Sequence, residues 1–390
     1  MYILRGRITL KKKLLVKTLV VVIILLFICL SIPLSFAQHI EKSYQPSRGT
    51  TITVDDEPGD ADFTSIKEAL NFSSPGDTIE VYSGIYREDG IRITKENVSL
   101  LGISHELGGG NDSEKPFVKP DGTDVVIIVE ASYVIVSNFR IEKLSSSTCI
   151  ILGSDELSPN QNNNTISDCF ILNPYGNGIS VNRIGRDINI INNTITDCSY
   201  DGISADSLDF NIIGNVIIGI EFDGIDIGLC WGKNISYNYI ASCRNGIHMQ
   251  GSNNIIYGND IRSCHVGILN YGGSNNTVYF NNIEDCHIGF SNEGGGGNRI
   301  IKNNFQECWN ILPWFKVRFL DFLLNKDRWI GNYWEIWRGM APEAVTSPKI
   351  IIGIEYLGIP FPGGEFKIVI PIPRFEYDWQ TAKEPYDIPS

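Results

Sequence analysis

The sequence predicts an all-β fold, a parallel β-helix in which each repeat of the chain forms one coil of a solenoid. The first observation is a recurring phrase, since NDIRSCHVGI begins at Asn259 and NNIEDCHIGF begins at Asn281. The second is the period, because the Cys column of the phrase recurs every ~22 residues after a longer first step. The third is the alternation of apolar residues, such as Ile225 and Ile227, which is typical of strands. Together they indicate about ten stacked coils.

The first 37 residues form a targeting segment. Six basic residues and no acidic residue accompany an apolar stretch over residues 18–32, and the small-x-small signal SFA ends at Ala37. The 15 apolar residues are few for a spanning helix. Cleavage of a signal peptide is therefore favoured over retention as an N-terminal membrane anchor, and either alternative exports residue 38 onward to the periplasm, cell surface or medium. Residues 38–49 are a linker.

The exported part is acidic, which restricts its partners. Beyond residue 37 the chain has 26 basic and 45 acidic residues, a balance of −19. Such a surface repels nucleic acid. Any membrane contact is expected only through the N-terminal segment.

Residues 50–308 are assigned to the β-helix, where each column of the repeat becomes a ladder along the axis. Ile220 replaces Cys in one copy, so the Cys column is expected to face the core as buried thiols. Cys149 and Cys230 lie off this column, and could form a disulfide elsewhere. Stacked Asn side chains should hydrogen-bond from coil to coil. The ladder residues are Asn193, Asn215, Asn238, Asn259, Asn281, Cys198, Cys243, Cys264 and Cys286.

A glycine column follows the Cys column, as in Gly202 and Gly224, with Asp or Asn before the glycine in three copies. We expect these glycines to form turns that need a positive φ. Residues 309–341 are assigned to an aromatic-rich C-terminal cap, because six of the seven Trp lie beyond residue 308 and a solenoid end needs a cover. An aromatic glycan platform or a membrane contact is the alternative for this segment. Residues 342–390 are assigned to a Pro-rich hairpin and tail.

Residues 50–102 resemble the opening of right-handed parallel β-helix proteins of the pectate-lyase-like superfamily. In those proteins a short helix, here FTSIKEALN at 63–71, caps the first coil, and a stretch such as PGDTIEV begins the strands. The repeated coils and GNYW at 331–334 look most like the NosD-type branch, periplasmic copper-binding proteins linked to copper-site maturation of nitrous oxide reductase. The resemblance implies a right-handed solenoid with an N-terminal helical cap, and copper as a metal partner. The catalytic motifs of the lyases and of polygalacturonase-type hydrolases do not carry over.

Acidic residues and one histidine fall in nearby slots of adjacent coils. Adjacent coils bring such side chains to about 5 Å from one another. That separation suits the two carboxylates of a retaining glycosidase, or a hard cation such as calcium. The alternative is that Asp-Gly and Asn-Gly are turn residues and the remaining residues are solvated surface. The candidates are Asp201, Asp206, Asp223, Asp226 and His248.

His265 and His287 directly follow Cys264 and Cys286 on consecutive coils. Two imidazoles and two sulfurs would attract Cu(I) or Zn(II). Successive side chains of a strand point to opposite faces, however, so inward cysteines imply outward histidines. The two histidines are then a candidate surface copper pair, and the four residues do not share one ion.

Two classes of function follow. The first is an exported cell-surface or periplasmic NosD-like protein, not an enzyme, that binds a polysaccharide or surface glycan or assists a copper protein. The second is a polysaccharide lyase or glycoside hydrolase that uses the acidic patch. The missing catalytic motifs favour the first class.

Overall fold

The computed structural model describes residues 49–108, 112–143, 147–153, 161–172, 175–182, 185–207, 209–308, 315–317, 327–330, 333–334, 349–360 and 367–378. These residues form a parallel β-helix, which confirms the predicted fold and its period of about 22 residues. Three parallel sheets, here sheets 1, 2 and 3, contain 12, 11 and 9 strands. No helix in the described ranges has the length and apolar character needed to cross a bilayer. The predicted targeting segment lies outside them.

Strands of successive coils pair side by side in each sheet. Sheet 1 consists of Thr51–Val54, Thr78–Val81, Ser99–Gly102, Ile135–Ser137, Thr165–Ser167, Ile188–Ile191, Phe210–Ile213, Asn234–Ser236, Ile255–Tyr257, Thr277–Tyr279, Arg299–Ile301 and Arg328–Ile330. Sheet 2 consists of Ile85–Tyr86, Phe117–Val118, Arg140–Glu142, Phe170–Leu172, Thr194–Thr196, Val216–Ile218, Tyr239–Ala241, Asp260–Arg262, Asn282–Glu284, Asn304–Gln306 and Tyr333–Trp334. Sheet 3 consists of Ile91–Ile93, Ile127–Val129, Ile150–Leu152, Ile179–Val181, Ile203–Ala205, Asp223–Ile227, Asn245–Met249, Val266–Asn270 and Ile288–Asn292.

Three further elements complete the described chain. The helix Ile66–Phe72 begins at the N-cap Ser65, packs Ile66, Ala69 and Leu70 into the core, and lies against the first strands of sheets 1 and 3. A two-stranded sheet pairs Gln161–Asn162 with Gly185–Arg186. A three-stranded sheet pairs Lys349–Pro360 in parallel with Phe315–Val317 and antiparallel with Lys367–Asp378. The last two of these strands form a hairpin within the segment assigned to the hairpin and tail.

The segment 309–341, assigned to a cap, contributes strands to the solenoid. Arg328–Ile330 pairs with Arg299–Ile301 in sheet 1, and Tyr333–Trp334 pairs with Asn304–Phe305 in sheet 2. These pairs extend the solenoid by part of one further coil. Most other residues of 309–341 lie outside the described ranges.

The core is built from columns of Ile, Val and Cys. Ile190, Ile212 and Ile235 follow one another in sheet 1, and each has no solvent exposure. The eight cysteines within the described ranges, among them Cys149 and Cys230, are buried thiols. Burial raises the pKa of such a thiol, to about 11 for Cys169. The cysteines therefore act as small apolar core residues.

Asn side chains form a continuous hydrogen-bonded ladder between sheets 1 and 2. The side-chain oxygen of Asn238 accepts bonds from the backbone and side-chain nitrogens of Asn215, at 2.9 and 3.0 Å. The side chain of Asn238 in turn donates to Asn259 at 2.9 Å. The same contact links Asn193 to Asn215 and Asn259 to Asn281. Each rung thus satisfies buried polar groups of the coil before it.

A second Asn ladder was not predicted from the sequence. It lies before the strands of sheet 1, where Asn254, Asn276 and Asn298 are fully buried and linked by backbone N–H bonds to side-chain oxygens of 2.8 and 2.9 Å. Its last described rung is Asp327, whose carboxylate accepts two bonds from Asn298 at 3.0 Å and one from Asn292 at 2.6 Å. Asp327 therefore offers only hydrogen-bond acceptors, whereas the side chain of each earlier Asn rung also offers a donor.

The glycine column does not form turns, which corrects the expectation above. Gly224 lies inside the strand Asp223–Ile227, and its φ is not left-handed. A Cβ atom there would lie 2.6 Å from Cγ2 of Ile240 and 2.7 Å from the carbonyl oxygen of Gly246. Glycine is needed because the coil backbones approach closely. The positive φ angles occur instead just before the Asn and Cys columns, as at Asn192 (56°) and Asp197 (59°).

Candidate functional site

Sheet 3 positions the predicted acidic residues on adjacent coils. Asp223 pairs in register with Asn245, and Asp226 pairs with His248. Ile225 on the same strand is fully buried, so the side chain of Asp226 points outward by strand alternation. We call Asp201, Asp223, Asp226 and His248 the acidic site.

The imidazole of His248 lies between two carboxylates. Its Nδ1 is 2.9 Å from Oδ2 of Asp223 and 2.9 Å from Oδ1 of Asp226. Asn245 donates a hydrogen bond of 2.6 Å to the other oxygen of Asp223. Nδ1 carries one hydrogen, which its bond to Asp223 uses, so Oδ1 of Asp226 is a buried acceptor without a hydrogen bond. The site holds more acceptors than the histidine can satisfy.

Backbone hydrogen bonds connect Asp201 to the same site. The N–H of Asp223 donates to Oδ1 of Asp201 at 3.2 Å, and the N–H of Asp201 donates to Oδ1 of Asn177 at 2.9 Å. Asp206 lies further along its coil, beside Gly228, where a Cβ atom would be 2.8 Å from its Oδ1. The structure thus brings four of the five candidates together and places Asp206 to one side.

The surroundings of the acidic site raise the pKa values of His248 and Asp201. Burial alone would lower the pKa of His248, but its contacts with Asp223 and Asp226 and their negative charges raise that pKa to about 10. Burial, followed by the charges of Asp226 and Asp223, raises the pKa of Asp201 to about 7. At neutral pH the histidine is therefore an imidazolium, and a share of the Asp201 carboxyl groups remains protonated. The site can hold and release one proton near physiological pH.

Exposed aromatic rings flank the acidic site. Tyr200 and Phe222 stack with ring centroids 5.6 Å apart and planes 9° from parallel. They are 57% and 37% exposed, and each directly precedes an aspartate of the site. Tyr271, 53% exposed, meets the ring of His248 edge-on at 6.3 Å. These aromatic residues were not predicted, although the phrases SYDGI and EFDGI placed an aromatic residue before the aspartate in two adjacent copies.

His265 and His287 lie further along the column that contains Tyr200 and Phe222. Their rings are exposed and stacked, with centroids 5.0 Å apart at 11°. The preceding residues, Cys264 and Cys286, are buried in the core. The thiols and the imidazoles therefore lie on opposite faces of the strand.

The described residues do not provide the soft donor set that copper prefers. The described residues contain two groups of three potential metal ligands. One group is Asp223, Asp226 and His248, and the other is Asp55, Asp56 and Glu57. Carboxylate oxygens dominate both groups, whereas Cu(I) prefers sulfur and imidazole. Only the exposed histidine pair offers two imidazoles side by side, so these residues do not fit a buried copper centre.

Residues 70–263, just under half of the chain, match the family described as "Periplasmic copper-binding protein (NosD)". No curated protein matches the chain. Similar solved structures include a complex of XylC with xylose, at 14% identity over 69% of this chain and 70% of that one, with a TM-score of 0.46. DFA-IIIase from Arthrobacter chlorophenolicus, in complex with GF2, is 14% identical over 72% and 87%, with a TM-score of 0.48.

A third similar structure is the enzymatically active domain of tailspike protein 2 from bacteriophage CBA120. It is 9% identical over 76% of this chain, with a TM-score of 0.49. This chain spans about half of that protein, 53%. At such identities these likenesses concern the fold and not the activity.

Proposed function

We propose that this chain, a NosD-type β-helix over residues 70–263, is an exported glycan-binding protein that uses the acidic site and its aromatic flank. The observation that carries the proposal is the exposed stack of Tyr200 and Phe222 directly beside Asp201 and Asp223. The family description as periplasmic and the N-terminal targeting segment both support export.

A sugar ring has an apolar C–H face and a rim of hydroxyl groups. The stacked rings of Tyr200 and Phe222 offer an apolar surface for the C–H face. The carboxylates of Asp223 and Asp226 are fixed acceptors for the hydroxyl groups, held by Asn245 and His248. The column of Tyr200 and Phe222 continues along the solenoid axis through Arg244, whose guanidinium lies 5.7 Å from the centroid of the Phe222 ring, to His265 and His287, so the ligand we expect is an extended glycan that crosses several coils. The acidic surroundings favour a neutral glycan over a polyuronate.

The test is binding of the purified protein to a glycan array, followed by calorimetric titration with the best neutral oligosaccharide. We expect Tyr200→Ala and Phe222→Ala each to weaken binding about tenfold, the effect of one lost stacking contact. Asp223→Asn should weaken it further. The matched control is Tyr257→Ala, which removes half of another stacked pair, Tyr257 and Tyr279, with centroids 4.5 Å apart on sheet 1.

The control also defines the contrary outcome. If Tyr257→Ala abolishes binding while Tyr200→Ala leaves it intact, the glycan binds on sheet 1 and the proposed site is wrong. If no glycan in the array binds, the proposal fails altogether.

A specific observation favours glycoside hydrolysis as the second candidate. Asp201, with its pKa raised to about 7, could act as a general acid. Asp226, with a buried oxygen that accepts no hydrogen bond, could act as the base or nucleophile. A glycosidase uses two carboxyl groups, one as the general acid and the other as the base or nucleophile.

Hydrolysis is tested by the release of reducing ends from neutral and acidic polysaccharides, and lyase activity by unsaturated ends. We expect Asp201→Asn to abolish hydrolysis while oligosaccharide affinity changes less than about threefold, since the amide keeps the shape of the carboxyl group. If neither reducing ends nor unsaturated ends appear with any polysaccharide of the panel, glycan binding remains the proposed function.

A copper role, implied by the family description, would depend on the stacked pair of His265 and His287. Two exposed imidazoles are an incomplete ligand set for copper, so we expect weak binding that dialysis reverses. Tight binding that is lost in His265→Gln would instead support assistance to a copper protein.

A further inference from the structure

A second acidic cluster lies at the N-terminal end of the solenoid, away from sheet 3. Asp55, Asp56 and Glu57 directly follow the first strand of sheet 1, which ends at Val54. One carboxylate oxygen from each of the three residues lies within 4.8 Å of the other two. Three carboxylates this close repel one another unless a positive charge or a proton lies between them.

Asp55 in this cluster is a buried carboxylate whose oxygens lack hydrogen-bond donors. Asp55 is only 1% exposed, yet neither of its carboxylate oxygens accepts a hydrogen bond of ordinary geometry. Oδ1 of Asp56 is also a buried acceptor without a partner. Among the described residues no ion pair reaches any of the three acids. A buried carboxylate left this way is costly, so a ligand that satisfies it would stabilise the fold.

The surrounding backbone holds the cluster in place. The N–H of Ile85 donates to Oδ2 of Asp56 at 2.9 Å. Gly84 allows this approach, because a Cβ atom there would lie 2.0 Å from Oδ1 of Asp56. The carboxylate of Asp56 is therefore positioned by the start of sheet 2 and does not swing freely in solvent.

We propose that Asp55, Asp56 and Glu57 bind one hard divalent cation of the calcium class. Carboxylate oxygens are the ligands that Ca²⁺ prefers, and water completes its shell. The acidic site on sheet 3 differs, because the imidazolium of His248 already supplies a positive charge between its carboxylates. The cation site is thus independent of the proposed glycan site.

The experiment is a calcium chloride titration of the full chain after treatment with chelator, followed by calorimetry and by the midpoint of thermal unfolding. At pH 8 we expect one Ca²⁺ per chain and a midpoint raised by about 5 °C at saturating calcium.

Variants separate a cation site from a set of acidic residues with no ligand. Asp55→Asn removes a buried charge, so without calcium it should melt at or above the temperature of the parent protein, and calcium should no longer shift it. Asp56→Asn should also lose the shift. Glu68→Gln, which neutralises an exposed carboxylate on the nearby helix, should retain it.

Three results would overturn the proposal. The first is the absence of a calcium-dependent shift in the parent protein at pH 8. The second is an unchanged shift in Asp55→Asn and Asp56→Asn. The third is loss of the shift in Asp226→Asn alone, which would move the cation to the acidic site.

Discussion

At the scale of the residue, His248 and Asp201 give sheet 3 a chemical character that a surface of turns would lack. His248 is shared by two aspartates on the neighbouring coil, so it is charged well above the usual pH range of histidine. The pKa of Asp201 is raised as well, to about 7, so this carboxyl group retains its proton far above the usual pH range of an aspartate. Each group depends on neighbours that an adjacent coil supplies. The site exists only because the coils stack.

Asp201→Asn should change how stability depends on pH. Because the pKa of Asp201 is raised from 3.8 to about 7, the folded state binds the proton more tightly than the unfolded state. The stabilising contribution of the protonated Asp201 is complete below the unfolded-state pKa of 3.8, and it is lost as the pH rises to about 7. The non-titrating variant should thus match the parent protein near pH 4 and gain roughly 2 kcal/mol relative to it near pH 8. Urea unfolding across this range measures the difference.

The control is Asp187→Asn, at an exposed position with a φ of 55° that Asn also tolerates. It should leave the pH profile of the parent protein unchanged. A flat difference between Asp201→Asn and the parent protein would contradict the proton-binding role of Asp201.

His248→Gln should reveal a pH dependence of the same sign over a higher pH range. The folded pKa of about 10 lies above the usual 6.5, so the stabilising contribution is complete below about pH 6.5 and declines as the pH rises through 10. At pH 7 we expect a loss of roughly 2 kcal/mol, because the imidazolium no longer lies between the carboxylates of Asp223 and Asp226. The loss should shrink toward pH 10. His265→Gln, at an exposed site, serves as the control, and equal losses in both variants would contradict the argument.

At the scale of the element, contacts with the neighbouring coils decide which residue a position of the coil requires. Gly224 shows this fit, because the carbonyl oxygen of the glycine one coil further occupies the place of its side chain. Asn238 shows it as well, since its amide satisfies groups of the coils on either side. A single substitution at either position therefore disturbs more than one coil.

Gly224→Ala should destabilise the protein by roughly 2 to 3 kcal/mol, because the added methyl group meets backbone as well as the side chain of Ile240. The free energy of unfolding in urea is the measurement. As a control, Gly232→Asn places a side chain in open space at a φ of 72°, and should cost less than about 1 kcal/mol. Comparable losses in the two variants would contradict the close-approach explanation.

Asn238→Ala should cost about 3 kcal/mol, because it leaves buried backbone and amide groups of Asn215 unsatisfied. Asn211→Ala provides the comparison, since Asn211 is only partly buried and bonds Asn189 at the surface. If the surface variant loses as much stability as Asn238→Ala, the buried ladder has no special role.

At the scale of the whole molecule, the solenoid is a stack of interchangeable coils, and its stability is approximately a sum over neighbours. Asn254 and Asn276 occupy equivalent places one coil apart, so the chain can be cut and rejoined there in register. The acidic site lies on earlier coils. Its contacts do not depend on the coil that would be removed, apart from the edge contact of Tyr271.

Deletion of residues 255–276, one full coil, should leave a folded protein with somewhat lower stability. Its far-ultraviolet circular dichroism should remain that of a β protein, and its unfolding should remain cooperative. Deletion of residues 255–265, half of a coil, breaks every ladder and should prevent folding. If both deletions unfold the protein, the coils are not interchangeable.

Spacing alone was sufficient to predict the solenoid, because a period of about 22 residues has few other physical explanations. Spacing could not show why Gly224 is glycine, since a tight turn and a close approach of two coils require the same residue. The partnership of Tyr200 with Phe222 depends on stacking geometry, and so does the position of His248 between two aspartates. The burial of Asp55 depends on how one strand ends, which no repeat pattern records.

Asp327 is the last rung of the second Asn ladder among the described residues, and it gives that ladder a direction. Each asparagine rung passes hydrogen bonding on to the next, because an amide both donates and accepts. A carboxylate only accepts, so the bonds donated by Asn292 and Asn298 converge on Asp327 and the ladder has a polarity along the solenoid axis.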